Sequence, residues 1–407
     1  MPPLGLMYLS AMLNSKGIEA RVVDLGLGDP LPDGEIFCTG TTPQAGELLA
    51  LSRDAYTVVG GPHASIDPDS LAGKFSLVVI GEGEEAIEQI VKERPTGILR
   101  TPRIRHLDQL PFPDRSTAHR YNYEIGGRRA TTMITSRGCN GKCSFCCKAV
   151  MDKGIFLRSA ENVLEEVRRI KSEGFGSVMF YDDTLAINRK RIEAICSGME
   201  KLDVLFRCFA RADQVDEELF RRMAQGGCHE VLIGVESGSQ KLLDNIRKQE
   251  TVEQQRNALL WGKKHGIKVK ALMMVGLPGE TWETVEQSRQ FILETEPDSL
   301  DITILTVYQG TDIALHPERY DIRFSDPSWY KGRQEEYRST VSTSALTPEE
   351  IVAARETLWE TYLELHRDKA ANGRPAAVPR LVEPPRSRRL TPSAALKPSA
   401  AKKVKVR

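Results

Sequence analysis

Four of the eight cysteines in this 407-residue chain fall within nine residues. The stretch reads Thr135-Ser-Arg-Gly-Cys139-Asn-Gly-Lys-Cys143-Ser-Phe-Cys146, with Cys147 following directly. Cys139, Cys143 and Cys146 have the spacing C-x3-C-x2-C. Three thiolates on so short a loop can hold three irons of a [4Fe–4S] cluster and leave the fourth open to a small molecule. Gly138 and Gly141 give the loop the backbone freedom to wrap closely around such a group. Zinc is the competing metal. Structural zinc takes four ligands, usually as two separated pairs. No second pair follows downstream, and Cys147, adjacent to Cys146, is badly placed to complete a tetrahedron. Cys147 therefore reads as a neighbour of the site, and Cys196, Cys208 and Cys228, in apolar surroundings, as core thiols.

The elements around the loop alternate in type. Strands are expected at Thr131–Ser136, Ser177–Tyr181, Leu205–Ala210, Glu230–Val235, Val269–Val275 and Leu300–Val307. Helices are expected at Ala160–Glu173, Arg189–Lys201, Glu217–Gln225, Val252–His265 and Trp282–Glu294. About six βα units with strands buried on both faces make a partial (β/α)6 barrel. The cysteine loop then follows the first barrel strand, on the carboxyl-end face where barrel chemistry is built. Asp182 and Asp183 end the second strand on that same face. They are candidates for catalysis, as a hydroxyl contact or proton-transfer group, or for capping the next helix. A last amphipathic helix, Pro348 to His366, starts at Thr347 with Glu350 completing a capping box.

The first hundred residues form a separate alternating series. Pro3–Ser15 reads as a helix, and Glu19–Leu25, Ile36–Thr39, Tyr56–Val59 and Leu77–Ile80 as short strands. This argues for an open, doubly wound α/β unit, shortened because Asp24 to Ile36 leaves room for a turn but not for a helix. The chain opens directly on its first helix, ahead of which a sheet of this kind ordinarily carries a strand. Glycines just past the strands, at Gly60-Gly61-Pro62-His63 and Gly81-Glu82-Gly83, mark the edge where such sheets take ligands. His63 could touch a ligand there or serve as a hydrogen-bonded loop residue. The expected organisation is an α/β unit over 1–100, a linker over 101–129, the barrel over 130–310, a helical extension over 311–370 and a tail over 371–407.

Charge and composition narrow the classes. Lys+Arg and Asp+Glu both number 56, which excludes a uniformly basic nucleic-acid coat. The tail carries ten basic residues and one acidic one, rich in Pro, Ala and Ser, and is expected to be disordered. No run approaches the ~18 apolar residues of a membrane span. Met1–Leu13 has no basic leader region, so a cytoplasmic protein that meets neither nucleic acid nor membrane is expected.

Taken together, these residues resemble the radical S-adenosylmethionine superfamily. Cys143-Ser144-Phe145-Cys146 is similar to its cluster motif, with Phe145 at the aromatic whose backbone lies near adenine. Arg211-Ala-Asp213 resembles its third-strand motif. Gly234-Val-Glu236-Ser237-Gly238 resembles the fourth-strand motif that faces S-adenosylmethionine, and Met274-Val-Gly276-Leu-Pro278-Gly279-Glu280 the fifth-strand motif that supports adenine. The resemblance covers nearly all of residues 1–370. It implies Cys139, Cys143 and Cys146 as metal ligands and Phe145, Arg211, Glu236, Ser237 and Gly276 as cofactor contacts, although Arg211 and Glu236 could instead be a salt bridge of the barrel. Pro2-Pro-Leu-Gly5-Leu, Val58-Val-Gly60-Gly61-Pro62-His63 and Ile80-Gly81-Glu82-Gly83-Glu84 resemble the cobalamin-binding domain that precedes many such enzymes.

The resemblance implies a [4Fe–4S] cluster, S-adenosylmethionine and an electron donor such as flavodoxin, ferredoxin or a dedicated reductase. The expected activity is hydrogen-atom abstraction from a small molecule, an aminosugar-like secondary metabolite, with loss of water, as in the radical dehydratases of antibiotic pathways. The alternative is a cobalamin-dependent C-methyltransferase. The short first unit is expected to give a corrin an incomplete seat, so cobalamin is possible but doubtful.

Overall fold

The computed structural model describes residues 1–52, 54–147, 154–325 and 337–371. The chain starts with helix α1 (Leu4–Ser15) and continues as a four-stranded parallel sheet. Its strands are β1 (Ile36–Thr39), β2 (Thr57–Gly60), β3 (Leu77–Ile80) and β4 (Gly97–Arg100), side by side in chain order. Helices α2 (Ala45–Leu49), α3 (Pro62–Ile66) and α4 (Ile87–Glu93) connect them. Both faces are covered: Val59 and Val78 pack with Leu48, Leu71 and Phe75 on one side, and Val58, Leu77 and Val79 with Ile90 on the other. Two buried faces explain why these strands are continuous apolar runs rather than alternating ones.

The strand expected at Glu19–Leu25 does not form. The segment runs without regular structure into a 3-10 turn at Leu25–Leu27. Among the described residues β1 pairs only with β2, and an apolar run becomes a strand only where a neighbour takes up its backbone groups. Side chains take them up instead: Asn14 Oδ1 accepts the Ala20 N–H at 3.0 Å, and Asp29 Oδ2 that of Asp24 at 2.9 Å. As expected, no helix lies between Asp24 and Ile36.

The expected linker is packed rather than loose. Ile104, Leu107 and Ala118 are buried, and Arg115 ion-pairs with the buried Glu166, which also holds Arg158. Strand β5 (Glu124–Ile125) turns back antiparallel onto β6 (Arg128–Met133). Then β7 (Ser136–Arg137) leaves the sheet to pair with β8 (Phe156–Leu157), closing the cysteine loop at its base.

The barrel strands β6, β9 (Ser177–Phe180), β10 (Leu205–Ala210), β11 (Cys228–Glu236), β12 (Lys268–Val275) and β13 (Ser299–Ile304) are parallel neighbours in chain order. Six parallel strands with β5 on one edge make the expected open half-barrel. Helices α5 (Ala160–Ser172), α6 (Arg189–Met199), α7 (Glu217–Gln225), α8 (Gln240–Asn245), α9 (Val252–Lys264) and α10 (Trp282–Thr295) follow the strands. Ser159, Asn188, Asp216, Thr251 and Thr281 cap five of these six with side-chain acceptors. Residues alternate along each strand. Phe206, Cys208 and Ala210 pack outward in the main core, whereas Phe209 joins Met179, Leu232 and Leu272 in a separate inner cluster. After α11 (Asp312–Leu315), helix α12 (Pro348–Ala371) lies over β13 and α10, started by the expected Thr347–Glu350 capping box.

The basic tail expected to be disordered lies outside the described residues from 372 onward. Among the described residues no helix is long and apolar enough to cross a membrane.

Candidate functional site

The cysteine loop is built on a left-handed turn. Gly138 has φ +98°, and a Cβ there would stand 2.1 Å from the Gly154 carbonyl oxygen, so the hairpin closes only on glycine. The Gly138 N–H donates to Asp183 Oδ2 at 2.9 Å. Asp182 accepts from the Thr135 N–H at 2.6 Å, from the Thr135 hydroxyl, and from the Ser136 hydroxyl at 2.8 Å. Burial raises both aspartates above the usual carboxylate range, against the pull of these donors. The pair expected to move protons thus holds the strand end from which the loop departs. Asp182 in particular is only 2 % exposed, and its carboxylate is engaged by that strand end.

Beyond the turn, the loop docks on α8. Ser144 donates its N–H to the Ile246 carbonyl at 2.9 Å, and Phe145 packs against Leu242, Leu243, Ile246, Leu277 and Met274. Cys139 Sγ accepts the Gly141 N–H at 3.3 Å. Cys147 points elsewhere, its thiol donating to the Gln309 carbonyl at 3.4 Å. No cysteine is in a disulfide.

Arg211 joins the loop to the barrel. Its Nη1 lies 3.8 Å from Cys143 Sγ, its Nη2 donates to the Lys248 carbonyl at 2.9 Å, and the guanidinium pairs with Asp213 and Glu250. Burial opposes its charge, but Asp213 and Glu250 outweigh burial and hold the cation firmly. Glu236 sits at a bulge in β11 with φ +63°, a conformation rare outside glycine. Lys248 Nζ donates to Glu236 Oε1 at 2.8 Å. Arg211 and Glu236 are therefore both ion-paired, but not with each other.

Lys248 and Glu250 are the residues the sequence reading missed. Arg247 and Gln249 have left-handed backbones, φ +56° and +59°. That alternation turns Lys248 and Glu250 inward and leaves Arg247 and Gln249 exposed. The available signal was charge at every position of Arg247-Lys248-Gln249-Glu250 but one, straight after a short helix. Burial pushes the Cys143 thiol up, and Lys248 and Arg211 pull it back.

Two motif residues support the site from behind. The Ser237 hydroxyl bonds with Ser288 Oγ at 3.1 Å and accepts the Ser239 N–H, so it pins the strand end to α10. Gly276, at φ +80°, and Leu277 direct their N–H groups to the buried Glu280 carboxylate. Burial pushes Glu280 up to about 7 despite those donors.

Among the described residues no three His, Cys, Asp or Glu side chains gather around one ion. A cluster makes a different demand, because each thiolate takes a separate iron at a corner of a cube. Three thiols on one loop, with an N–H on one sulfur and a guanidinium beside another, fit that demand.

The first sheet meets this loop at its carboxyl edge. Gly40 and Gly81 follow β1 and β3 there, and Gly60 ends β2. Arg137, two residues before Cys139, pairs with Glu84 at 2.6 Å and Glu82 at 3.1 Å, both on the loop after β3. It also lies over the Tyr8 ring of α1. His63 is turned inward, 2 % exposed, with Nε2 3.3 Å from Ser70 Oγ.

Residues 133–292 match the model of the Radical SAM superfamily. The chain is 29 % identical to an uncharacterised methyltransferase of Pyrococcus horikoshii, over 76 % of this chain and 77 % of that one. It is 27 % identical to the anaerobic magnesium-protoporphyrin IX monomethyl ester cyclase of Rubrivivax gelatinosus, over 77 % of this chain and 65 % of that one. Its fold is similar to that of the radical S-adenosylmethionine methyltransferase TsrM of Kitasatospora setae, solved with cobalamin and a [4Fe–4S] cluster. There the TM-score is 0.67 at 15 % identity, covering 89 % of this chain and 88 % of that one. Further relatives carry methyltransferase or methylase names. These findings overturn the expectation of hydrogen abstraction with dehydration as the main activity. That neighbour of similar fold was solved with cobalamin bound, so a corrin on this chain is not excluded.

Proposed function

We propose, from the match of residues 133–292 to the Radical SAM superfamily model, that the chain is a cobalamin-dependent methyltransferase acting on a carbon of a small molecule. When bound, the [4Fe–4S] cluster supplies the one-electron reduction of S-adenosylmethionine and the corrin the methyl-carrying centre.

The chain's own residues do the rest. Cys139, Cys143 and Cys146 hold the cluster. Glu236 and Lys248 offer opposite charges to the amino and carboxylate groups of S-adenosylmethionine, with Arg211 holding the Lys248 backbone through its carbonyl. Phe145 and the Gly276 turn bound the adenine. Asp182 and Asp183 fix the loop rather than move a proton. Lys142 and Arg247 line a cleft of about 370 Å³ beside the loop, which gives a reducing partner a short approach to the cluster.

The observation that carries the reading is Arg137. It binds the carboxyl edge of the first sheet to the start of the cysteine loop, so a group lying on that edge sits next to the cluster. Reconstitution with iron, sulfide and hydroxocobalamin under anaerobic conditions, then gel filtration and product analysis, tests it. Corrin should co-elute with the protein, and 5′-deoxyadenosine and S-adenosylhomocysteine should both form. Cleavage of S-adenosylmethionine by protein that retains no corrin would sink the reading.

A further inference from the structure

The barrel lumen is layered. Strand alternation sends Arg207, Glu230 and Lys270 inward. Arg207 pairs with Glu230 at 2.9 Å and Lys270 with Asp301 at 3.5 Å, so these charges satisfy one another. Two residues further along β10, β11 and β12 the chemistry changes to Phe209, Leu232 and Leu272. Tyr181 follows β9 at the same level, its ring edge-to-face with Phe209 at 5.9 Å and 88°. Tyr181 is 46 % exposed although it is a large side chain at the mouth of a barrel. Further along, Arg211 stands two residues past Phe209 of β10 and Glu236 four past Leu232 of β11, both ion-paired within the chain.

From this layering we infer that the substrate presents a flat apolar ring, received against Tyr181, Phe209, Leu232 and Leu272. The inference rests on the methyltransferase reading and names the substrate class of that site. A polyhydroxylated substrate needs unpaired donors and acceptors along its length, because each buried hydroxyl left without a partner costs binding. This row supplies apolar surface instead, and the charges next to it, Arg207 with Glu230 and Lys270 with Asp301, are already paired. A ring stacking on Tyr181 covers the exposed aromatic face beside Phe209, which stands on β10 two residues before Arg211. Edge-to-face and stacked aromatic pairs add to the burial of the ring itself.

Equilibrium dialysis of the full-length protein with indole, and with glucosamine as the polyhydroxylated counterpart, tests this. Wild type should bind indole in preference to glucosamine. Tyr181→Ser should weaken indole about tenfold, the scale of one aromatic contact and its buried area, whereas Tyr181→Phe should retain it. Glucosamine bound as well as indole, no indole binding, or an unchanged Tyr181→Ser would each overturn the ring site. Iron content and corrin retention are read on the same samples. Corrin retained without indole preference defeats the ring site alone, while indole preference without corrin retention defeats the methyltransferase reading alone.

Discussion

Arg137 and Glu84 meet at 2.6 Å across the seam between the first sheet and the cysteine loop. Glu84 lies four residues past the end of β3, and Arg137 two residues before Cys139. The contact is shielded, with side chains 14 % and 9 % exposed, so it holds position far better than a surface pair. It makes the geometry of one ligand edge depend on the other. Replacing Arg137 by Met should leave Glu84 without its cation, while Glu82 keeps Arg103 at 3.3 Å and the Ile104 N–H, at a cost on the order of 3 kcal/mol. Iron content should stay near wild type while corrin retention and methyl transfer fall together. Equal loss of iron and corrin would show that Arg137 supports the loop rather than the seam.

The three cysteine ligands should separate cleanly from the fourth. Ala at Cys139, Cys143 or Cys146 removes a thiolate that no other described residue can replace. Cys147→Ala loses only a weak thiol bond to the Gln309 carbonyl. Iron and sulfide per chain should collapse in the first three variants and stay near wild type in the fourth. A comparable fall in all four contradicts the three-ligand assignment.

Most of the frame was legible because it rests on local rules. Leu77–Ile80, Leu205–Ala210 and Glu217–Gln225 appear with the expected bounds, since each is an apolar run or periodic stretch with clear stops. Glu19–Leu25 failed because strand formation depends on a neighbour that a single run of residues does not reveal. The cysteine loop was legible because its spacing is local, as at Cys139. The site was not legible where a side chain's partner is distant in sequence. Ser237 bonds Ser288, and Arg211 finds Glu250 only because α8 and its left-handed exit bring that carboxylate back.

Lys248 should matter as much as the motif residues. It is 4 % exposed and gives Glu236 its cation at 2.8 Å. Lys248→Met keeps the bulk but leaves the half-buried Glu236 beside Gly234 without its partner, a loss of about 1–3 kcal/mol. S-adenosylmethionine affinity should drop by about tenfold or more, with the cluster still present by optical spectroscopy. Unchanged affinity would remove Lys248 and Glu236 from the binding site.

Glu280 should leave a signature in the pH dependence of stability. Its carboxyl is pushed by burial from an ordinary 4.5 to about 7 in the folded chain. The folded state therefore binds this proton more tightly than the unfolded state. Stability from this group is fully present below about 4.5 and is lost as pH rises to about 7, with no further change above. Denaturant titrations across that window should show wild type losing stability, by a few kcal/mol at most. Glu280→Gln keeps an acceptor for the Gly276 and Leu277 N–H groups but has no proton to release. Its stability should vary less with pH over the same window, and the two curves should converge toward acid and separate toward neutrality. Parallel curves would mean that Glu280 is already ionised at the acid end and that the Gly276 turn is held by a carboxylate throughout.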